Sequence, residues 1–125
     1  MNVQIVDILD EDNVKVEVGK NQFIAEWDGD KPEINKIYSV EMDIYDELIW
    51  KTNIRFTTED DDMIVQEPSS TKIVARLDYA IETDLAALRV YDSIVLVDVT
   101  GIEQDIIDEW VVINCHSIRL SDINL

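Results

Sequence analysis

Alternation of apolar and polar residues constrains the fold of this chain more than any other feature of its sequence. Valine occupies positions 14, 16 and 18 with Lys15 and Glu17 between them, and the same two-residue period runs through residues 23–27 and 38–44. Because successive side chains of a β-strand point to opposite faces, this period predicts strands with one apolar and one acidic face. The segments predicted as strands are 14–18, 23–27, 38–44, 54–57, 63–65, 72–79, 93–100 and 110–120.

Helix signals are confined to two short segments. Residues 84–88 read Asp-Leu-Ala-Ala-Leu behind Thr83, a suitable N-cap, and Thr100 and Glu103 have capping-box spacing ahead of residues 104–109. Both segments are shorter than the ~12–15 residues that an isolated helix needs. We therefore predict an all-β, mainly antiparallel fold with one or two short helices.

The length of 125 residues and the 46% hydrophobic content predict a single compact domain with a true core. The best internal boundary is the stretch 67–71, which contains Pro68. On its two sides, residues 4–6 parallel 72–74, 23–29 parallel 94–101, and 34–42 parallel 107–115. The sequence thus predicts either a sandwich or two small partial barrels from similar halves, 1–67 and 72–125, and leaves a true duplication open.

The charge of the chain excludes several kinds of partner. Twenty-eight acidic and ten basic side chains give a formal net charge of −18, whereas solubility needs only about 2–8 in magnitude. Nucleic-acid binding needs a cationic groove, and the scattered lysines and arginines do not supply one. The longest apolar runs are short, so we also expect no membrane span. A basic protein is the partner that such a charge favours.

Residues for catalysis are scarce in this sequence. Cys115 and His116 are the only cysteine and histidine, and adjacent strand residues face opposite ways, so they cannot form a nucleophile–base pair. The acidic runs 10–12, 28–30 and 60–62 lack the spacing of a calcium loop. We therefore predict no enzyme, no cofactor and no metal site. The alternative, a carboxylate-dependent hydrolase, relies on Asp98, which we expect to be partly buried within an apolar strand.

The acidic excess is uneven along the chain. Residues 1–67 carry a net −12 and residues 68–125 a net −6. In the first part, acids gather at turns and strand ends around two aromatic residues, a mixture typical of protein interfaces. The predicted partner-binding residues are Asp28, Asp30, Glu33, Asp43, Tyr45, Asp46, Glu47, Trp50, Glu59, Asp60, Asp61 and Asp62.

These observations favour a small binding protein that neutralises a basic protein. Its most concrete form is a bacterial immunity protein that inhibits a nuclease-type toxin, as in contact-dependent inhibition or a similar system. A single cysteine and the lack of a signal-like start indicate a cytoplasmic location. The alternative is a structural or assembly module of phage or bacterial origin. We expect a monomer or a weak homodimer.

Overall fold

The chain is all-β, as predicted. The computed structural model describes residues 1–82, 84–102 and 106–123, and it describes residues 80–82 and 107 without their side chains. Within these residues the backbone forms twelve strands and no helix. The strands are β1 (Asn2–Ile8), β2 (Asn13–Val18), β3 (Asn21–Asp28), β4 (Ile37–Ile44), β5 (Leu48–Ile49), β6 (Ile54–Phe56), β7 (Met63–Gln66), β8 (Thr71–Glu82), β9 (Leu85–Val90), β10 (Ser93–Thr100), β11 (Ile107–Cys115) and β12 (Ile118–Asp122).

The prediction of a helix over residues 84–88 is wrong. This segment enters β9, which pairs with β8 on one side and β10 on the other, so that Ala87 lies opposite both Tyr79 and Leu96. A five-residue helix is too short to persist, and strand pairing on both sides outweighs its local propensity. The second predicted helix, 104–109, enters β11 at residue 107, and residues 103–105 lie outside the described part of the chain.

Five strands close into a barrel in the order β1-β2-β3-β12-β4, with β4 returning to β1. Their contacts are antiparallel except that between β3 and β12, which is parallel. In that parallel contact Leu120 lies beside Trp27, and Arg119 lies beside Glu26. The alternation in the sequence explains this wall, because Phe23, Ala25 and Trp27 face the core and the residues between them face solvent.

A second sheet has the order β5-β10-β9-β8-β11-β6, and β7 pairs with β8 beyond the end of β9. Its arrangement repeats that of the barrel: β8, β9 and β10 form a meander, and β11 pairs antiparallel with the first strand of that meander. The short strand β5 then runs parallel to the third, placing Leu48 beside Val99. Its continuation β6 pairs antiparallel with β11.

The two sheets exchange their fifth strands. The parallel neighbour of β3 in the barrel is β12, which follows the second sheet along the chain. The parallel neighbour of β10 is β5, which precedes the second sheet. Both sheets therefore cross the boundary near Pro68, and the proposed duplication of 1–67 and 72–125 stays a prediction. In both, a glycine of positive φ follows the third strand: Gly29 at 140° and Gly101 at 80°.

One apolar cluster connects the two sheets. It includes Phe23 and Leu120 of the barrel together with Leu77, Leu88 and Ile113 of the second sheet, all of them almost fully buried. In the barrel part, the rings of Trp27 and Tyr38 meet edge to face with their centroids 5.1 Å apart. Because the core is continuous across the exchanged strands, we expect the sheets to unfold together.

Replacing Leu120 by alanine tests the contribution of the exchanged strand. Leu120 is fully buried beside Trp27, so Leu120→Ala should lower the free energy of unfolding by about 2–5 kcal/mol. The half-exposed Ile123, one residue beyond the same strand, is the matched control, and Ile123→Ala should change it by no more than about 0.5 kcal/mol. Urea denaturation followed by tryptophan fluorescence measures both. Equal effects would show that β12 does not complete the barrel core.

Candidate functional site

The outer surface of the barrel carries a patch of carboxylates where three strands lie side by side. On the central strand β12, Arg119 lies between Glu26 of β3 and Asp43 of β4. One step further along, Ser121 lies between Asp28 and Glu41. Since alternate strand residues share a face, all four carboxylates point outward and are exposed. We call these four residues the acidic face: Glu26, Asp28, Glu41 and Asp43.

Arg119 is the cation within the acidic face. Its Nη2 lies 3.3 Å from Glu26 Oε1, and its Nη1 donates to the Tyr45 hydroxyl over 3.1 Å. The guanidinium also lies over the Tyr45 ring, 4.7 Å from its centroid. One positive charge among four negative ones leaves a formal excess of three carboxylates on adjacent strands. This surface can attract a cationic partner, and it offers an exposed tyrosine, Tyr45, at its edge.

Sequence reasoning found part of this surface. Asp28 and Asp43 belong to the acidic face, and Tyr45 borders it. Glu26 and Glu41 were missed, although each occupies a polar position in an alternating segment. Alternation identifies which residues face outward, but it does not tell which strands are neighbours. The acidic face depends on β12 lying between β3 and β4, and no local pattern indicates that.

The predicted residues Asp30 and Glu33 lie in the connection that follows β3. The indole Nε1 of Trp27 donates to the Asp30 carbonyl oxygen over 2.9 Å, which fixes the start of this turn. The backbone N–H of Glu33 donates to the Tyr38 hydroxyl over 2.9 Å, and its carboxylate lies 3.6 Å from Lys36 Nζ. Both side chains are exposed, so they extend the negative surface beyond Asp28.

Two other predicted interface residues, Asp46 and Trp50, are largely buried and make contacts within the protein. Asp46, with a side chain only 11% exposed, accepts hydrogen bonds from the backbone N–H groups of His116 and Ser117 at 2.8 and 2.7 Å. Trp50 is 8% exposed and meets Phe56 edge to face at 4.9 Å, so its ring is not available as a surface anchor. Glu47, between them, is exposed.

The loop with the densest acidic run lies elsewhere. Lys72 Nζ binds the carboxylate of Glu59 over 2.9 Å. Asp61 and Asp62 border a shallow depression together with Tyr91 and the turn at Gly19. Burial raises the pKa of Asp62, and the backbone of Tyr91 partly opposes this by donating a hydrogen bond to it. Asp60 is exposed. The twelve predicted residues therefore lie on the barrel face, in the connections that follow β3 and β4, in the core and in this separate loop.

The residues weighed for catalysis do not form a site. Burial raises the pKa of the Cys115 thiol to about 12, and its sulfur lies 3.7 Å from the Thr71 carbonyl oxygen. The exposed His116 places Nδ1 3.4 Å from Asp46. Asp98 is exposed, so the expectation that it is partly buried is wrong; it lies on the outward side of β10, between Val97 and Val99, which face the core.

Several basic side chains on the second sheet and its flanks are already bound to carboxylates. Besides Lys72 with Glu59, Arg76 contacts Asp108 over 2.9 Å, and Arg89 contacts Asp78 over 2.9 Å. In the part of the chain that the structure describes, no group of three or more His, Cys, Asp or Glu side chains is placed to hold a metal ion. Among the same residues there is no helix that could cross a membrane.

Comparison with known proteins gives no relative for this chain. No protein-family model, no curated protein and no solved structure matches it. Any function assigned to this protein therefore has to rest on its own surfaces, above all on the acidic face.

Replacing Asp46 should destabilise the protein without touching the acidic face. Asp46→Ala removes two charge-assisted hydrogen bonds to backbone N–H groups at a largely buried position, and we expect a loss of roughly 3 kcal/mol. The neighbouring exposed Glu47→Ala is the control and should change stability by no more than about 0.5 kcal/mol. Urea denaturation measures both. If Asp46→Ala has no effect on stability, Asp46 is free to act as an interface residue instead.

Labelling of Cys115 should report unfolding. With a thiol pKa of about 12, about one molecule in ten thousand carries the thiolate at pH 8. We therefore expect negligible reaction with a thiol reagent in the folded protein and rapid reaction in urea, because Cys115 is the only cysteine. The labelling rate at pH 8 is the measurement. Fast labelling of the folded protein would contradict the burial of this side chain.

Proposed function

We propose that this protein is a small cytoplasmic binding protein that neutralises a basic protein partner. In its most concrete form it is a bacterial immunity protein that inhibits a nuclease-type toxin. The observation that carries this proposal is the acidic face, where four exposed carboxylates surround one arginine on three adjacent strands. The net charge of −18 adds a long-range field of the same sign.

A nuclease is a suitable target for such a face. Enzymes that act on nucleic acid present lysine and arginine side chains to the phosphate backbone. An acidic protein can cover that surface, and opposite charges on the two partners speed their encounter. Tyr45 adds an exposed aromatic ring beside the carboxylates, and its contact with Arg119 holds the ring in place. Tyrosine is one of the residues most often found at energetically important interface positions.

Direct binding of nucleic acid has less support. Small five-stranded barrels include types that bind single strands, but these use a positively charged groove with stacking aromatics. Arg76 and Arg89 are bound to carboxylates, and Arg119 lies within the acidic face. The hydrolase alternative has lost its main support, since Asp98 is exposed rather than partly buried.

Neutralising the acidic face should slow binding to the toxin. The probe is the product of the neighbouring reading frame, purified and assayed as a nuclease. The variant Asp28→Asn/Glu41→Gln/Asp43→Asn should associate at least about tenfold more slowly, because steering by these charges is lost. The matched control Asp7→Asn/Glu11→Gln/Glu67→Gln has the same net charge but leaves the acidic face intact, and its rate should fall much less. Stopped-flow association kinetics measure both.

Two measurements decide the proposal: the effect of ionic strength on the association rate, and the part of the surface whose variants slow association most. Association with the wild-type protein should slow as ionic strength rises, because salt screens exposed charges. If the neighbouring gene product is not a nuclease, or the protein does not inhibit it, the proposed function is wrong. A larger effect from Asp60→Asn/Asp61→Asn than from the triple variant would move the interface to the loop 59–62.

A further inference from the structure

We propose that the open edge of β10 binds an extended segment of the basic partner as an added strand. The identity of the partner rests on the proposed function, and the inference specifies which kind of segment of that partner the protein recognises. The segment alternates basic and aliphatic residues. Unpaired backbone groups, exposed aliphatic side chains and a negatively charged groove lie together at this edge of the second sheet.

The edge of β10 is open over most of its length. Closure removes the edges of the barrel, and the far edge of the second sheet is β6, a strand of only three residues. By contrast, β10 has eight residues. Among the described strands, its only partner on the side away from β9 is β5, at Val99 and Thr100. Residues 93–98 therefore form an unpaired edge roughly 20 Å long.

The pairing between β9 and β10 determines which backbone groups point to this edge. The register of the two strands is continuous over residues 93–98, and the N–H of Val99 donates to the Asp84 carbonyl oxygen over 2.8 Å on the same side. Backbone groups of successive strand residues point to opposite edges. The odd-numbered residues of β10 therefore bond to β9, whereas Ile94 and Leu96 direct their N–H and C=O groups to the open edge.

The side chains beside these backbone groups are large and aliphatic. Ile94 and Leu96 are 52% and 57% exposed and occupy neighbouring outward positions on β10. Natural proteins usually protect an edge with charges, proline or a covering element, because unpaired backbone groups can pair with another extended chain. Where an edge is used for binding, the main-chain hydrogen bonds supply affinity and alternate side chains supply specificity. The exposed pair on β10 is suited to the aliphatic positions of such a chain.

The groove beside this edge favours a cationic segment. It has a volume of about 430 Å³, and the exposed Glu41 and Asp43 of β4 line it together with the two aliphatic residues of β10. Asp98 is exposed further along the same side of β10. Among the described residues that line the groove there is no lysine or arginine, and the Met1 ammonium donates to the Val40 carbonyl oxygen over 3.3 Å. Carboxylates therefore outnumber cations here.

A basic partner fits this edge better than a second copy of the chain. The arginine opposite Ile94, Arg89 of β9, contacts Asp78 over 2.9 Å and so adds no net positive charge. A second copy brings the same carboxylates and a net charge of −18, which repel it. A segment with basic residues at alternate positions instead places cations near the carboxylates of the groove and aliphatic side chains beside those of β10.

Amide hydrogen exchange followed by NMR tests the added strand in the wild-type protein. The probe is a synthetic heptapeptide of alternating lysine and valine. In the free protein, the amides of Ile94 and Leu96 should exchange much faster than those of Val95 and Val97, which bond to β9. A large excess of the peptide should slow exchange at Ile94 and Leu96 at least about tenfold, and the same peptide with glutamate in place of lysine should not. Amides at these two positions that stay unprotected, or that are already protected in the free monomer, overturn the proposal.

A pair of variants at position 96 tests the backbone contribution. Leu96→Pro removes an N–H that points away from β9, a position where an edge strand tolerates proline, and should weaken peptide binding at least about tenfold. The matched control Leu96→Ala also loses the leucine side chain but keeps the N–H, and should weaken binding much less. Neither variant changes the charge. Fluorescence anisotropy of the labelled peptide measures both, and thermal melts check that they are folded. Equal binding by the two variants would show that backbone pairing does not hold the peptide.

Inhibition of the toxin separates this inference from the proposed function. If the wild-type protein inhibits the toxin and Leu96→Pro inhibits it as strongly as Leu96→Ala, the partner does not use this edge, and the inference is wrong while the function stands. If the peptide protects the edge but the toxin is not inhibited, the function is wrong and the edge still binds extended basic segments. Sedimentation equilibrium of the protein alone tests the other occupant: a wild-type dimer that Leu96→Pro abolishes would place a second copy at this edge and overturn the proposal.

Discussion

The parallel contact between β3 and β12 is the interaction on which the remaining structure depends. It places Leu120 beside Trp27 inside the barrel and Arg119 beside Glu26 outside it. Without β12 the barrel would lack the strand that lies between β3 and β4, and these two strands would expose their backbone hydrogen-bonding groups. The corresponding parallel contact in the second sheet is that between β10 and β5, which is shorter and places Leu48 beside Val99. The contact between β3 and β12 thus determines both the packing inside the barrel and the arrangement of charges on its outer surface.

Much of the fold was predictable from sequence, and the reason is local. The two-residue period at residues 14–18, 23–27 and 38–44 is a property of neighbouring residues, and the structure has strands there with the predicted inward faces. The segment 84–88 was misjudged because its alanines and leucines suit a helix, whereas pairing with β8 and β10 decides its conformation. Strand exchange could not be predicted, because β5 and β12 could each pair with either sheet, and no local pattern indicates which sheet each one joins.

The candidate surface was predictable to a smaller extent. Asp28, Asp43 and Tyr45 were predictable because acids and aromatics cluster along the chain at these positions, and the structure brings them to one face. The same cluster in the sequence contains Asp46, which binds the backbone of a turn, and Trp50, which lies in the core. Counting charges cannot separate a carboxylate that binds its own backbone from one that faces solvent. Only the register of β12 against β3 and β4 makes that distinction.

The exchanged strands also affect how the protein is made. Arg119 and Glu26, which meet in the barrel, are 93 residues apart in the chain. During synthesis β1 to β4 leave the ribosome long before Ile118–Asp122, so their barrel stays open until nearly the whole described chain has emerged. Contacts between such distant residues slow folding, because the intervening chain must first be ordered. Until β12 is made, the first half of the chain therefore has an unfilled gap between β3 and β4, and unpaired strand edges and exposed apolar surface of this kind favour aggregation.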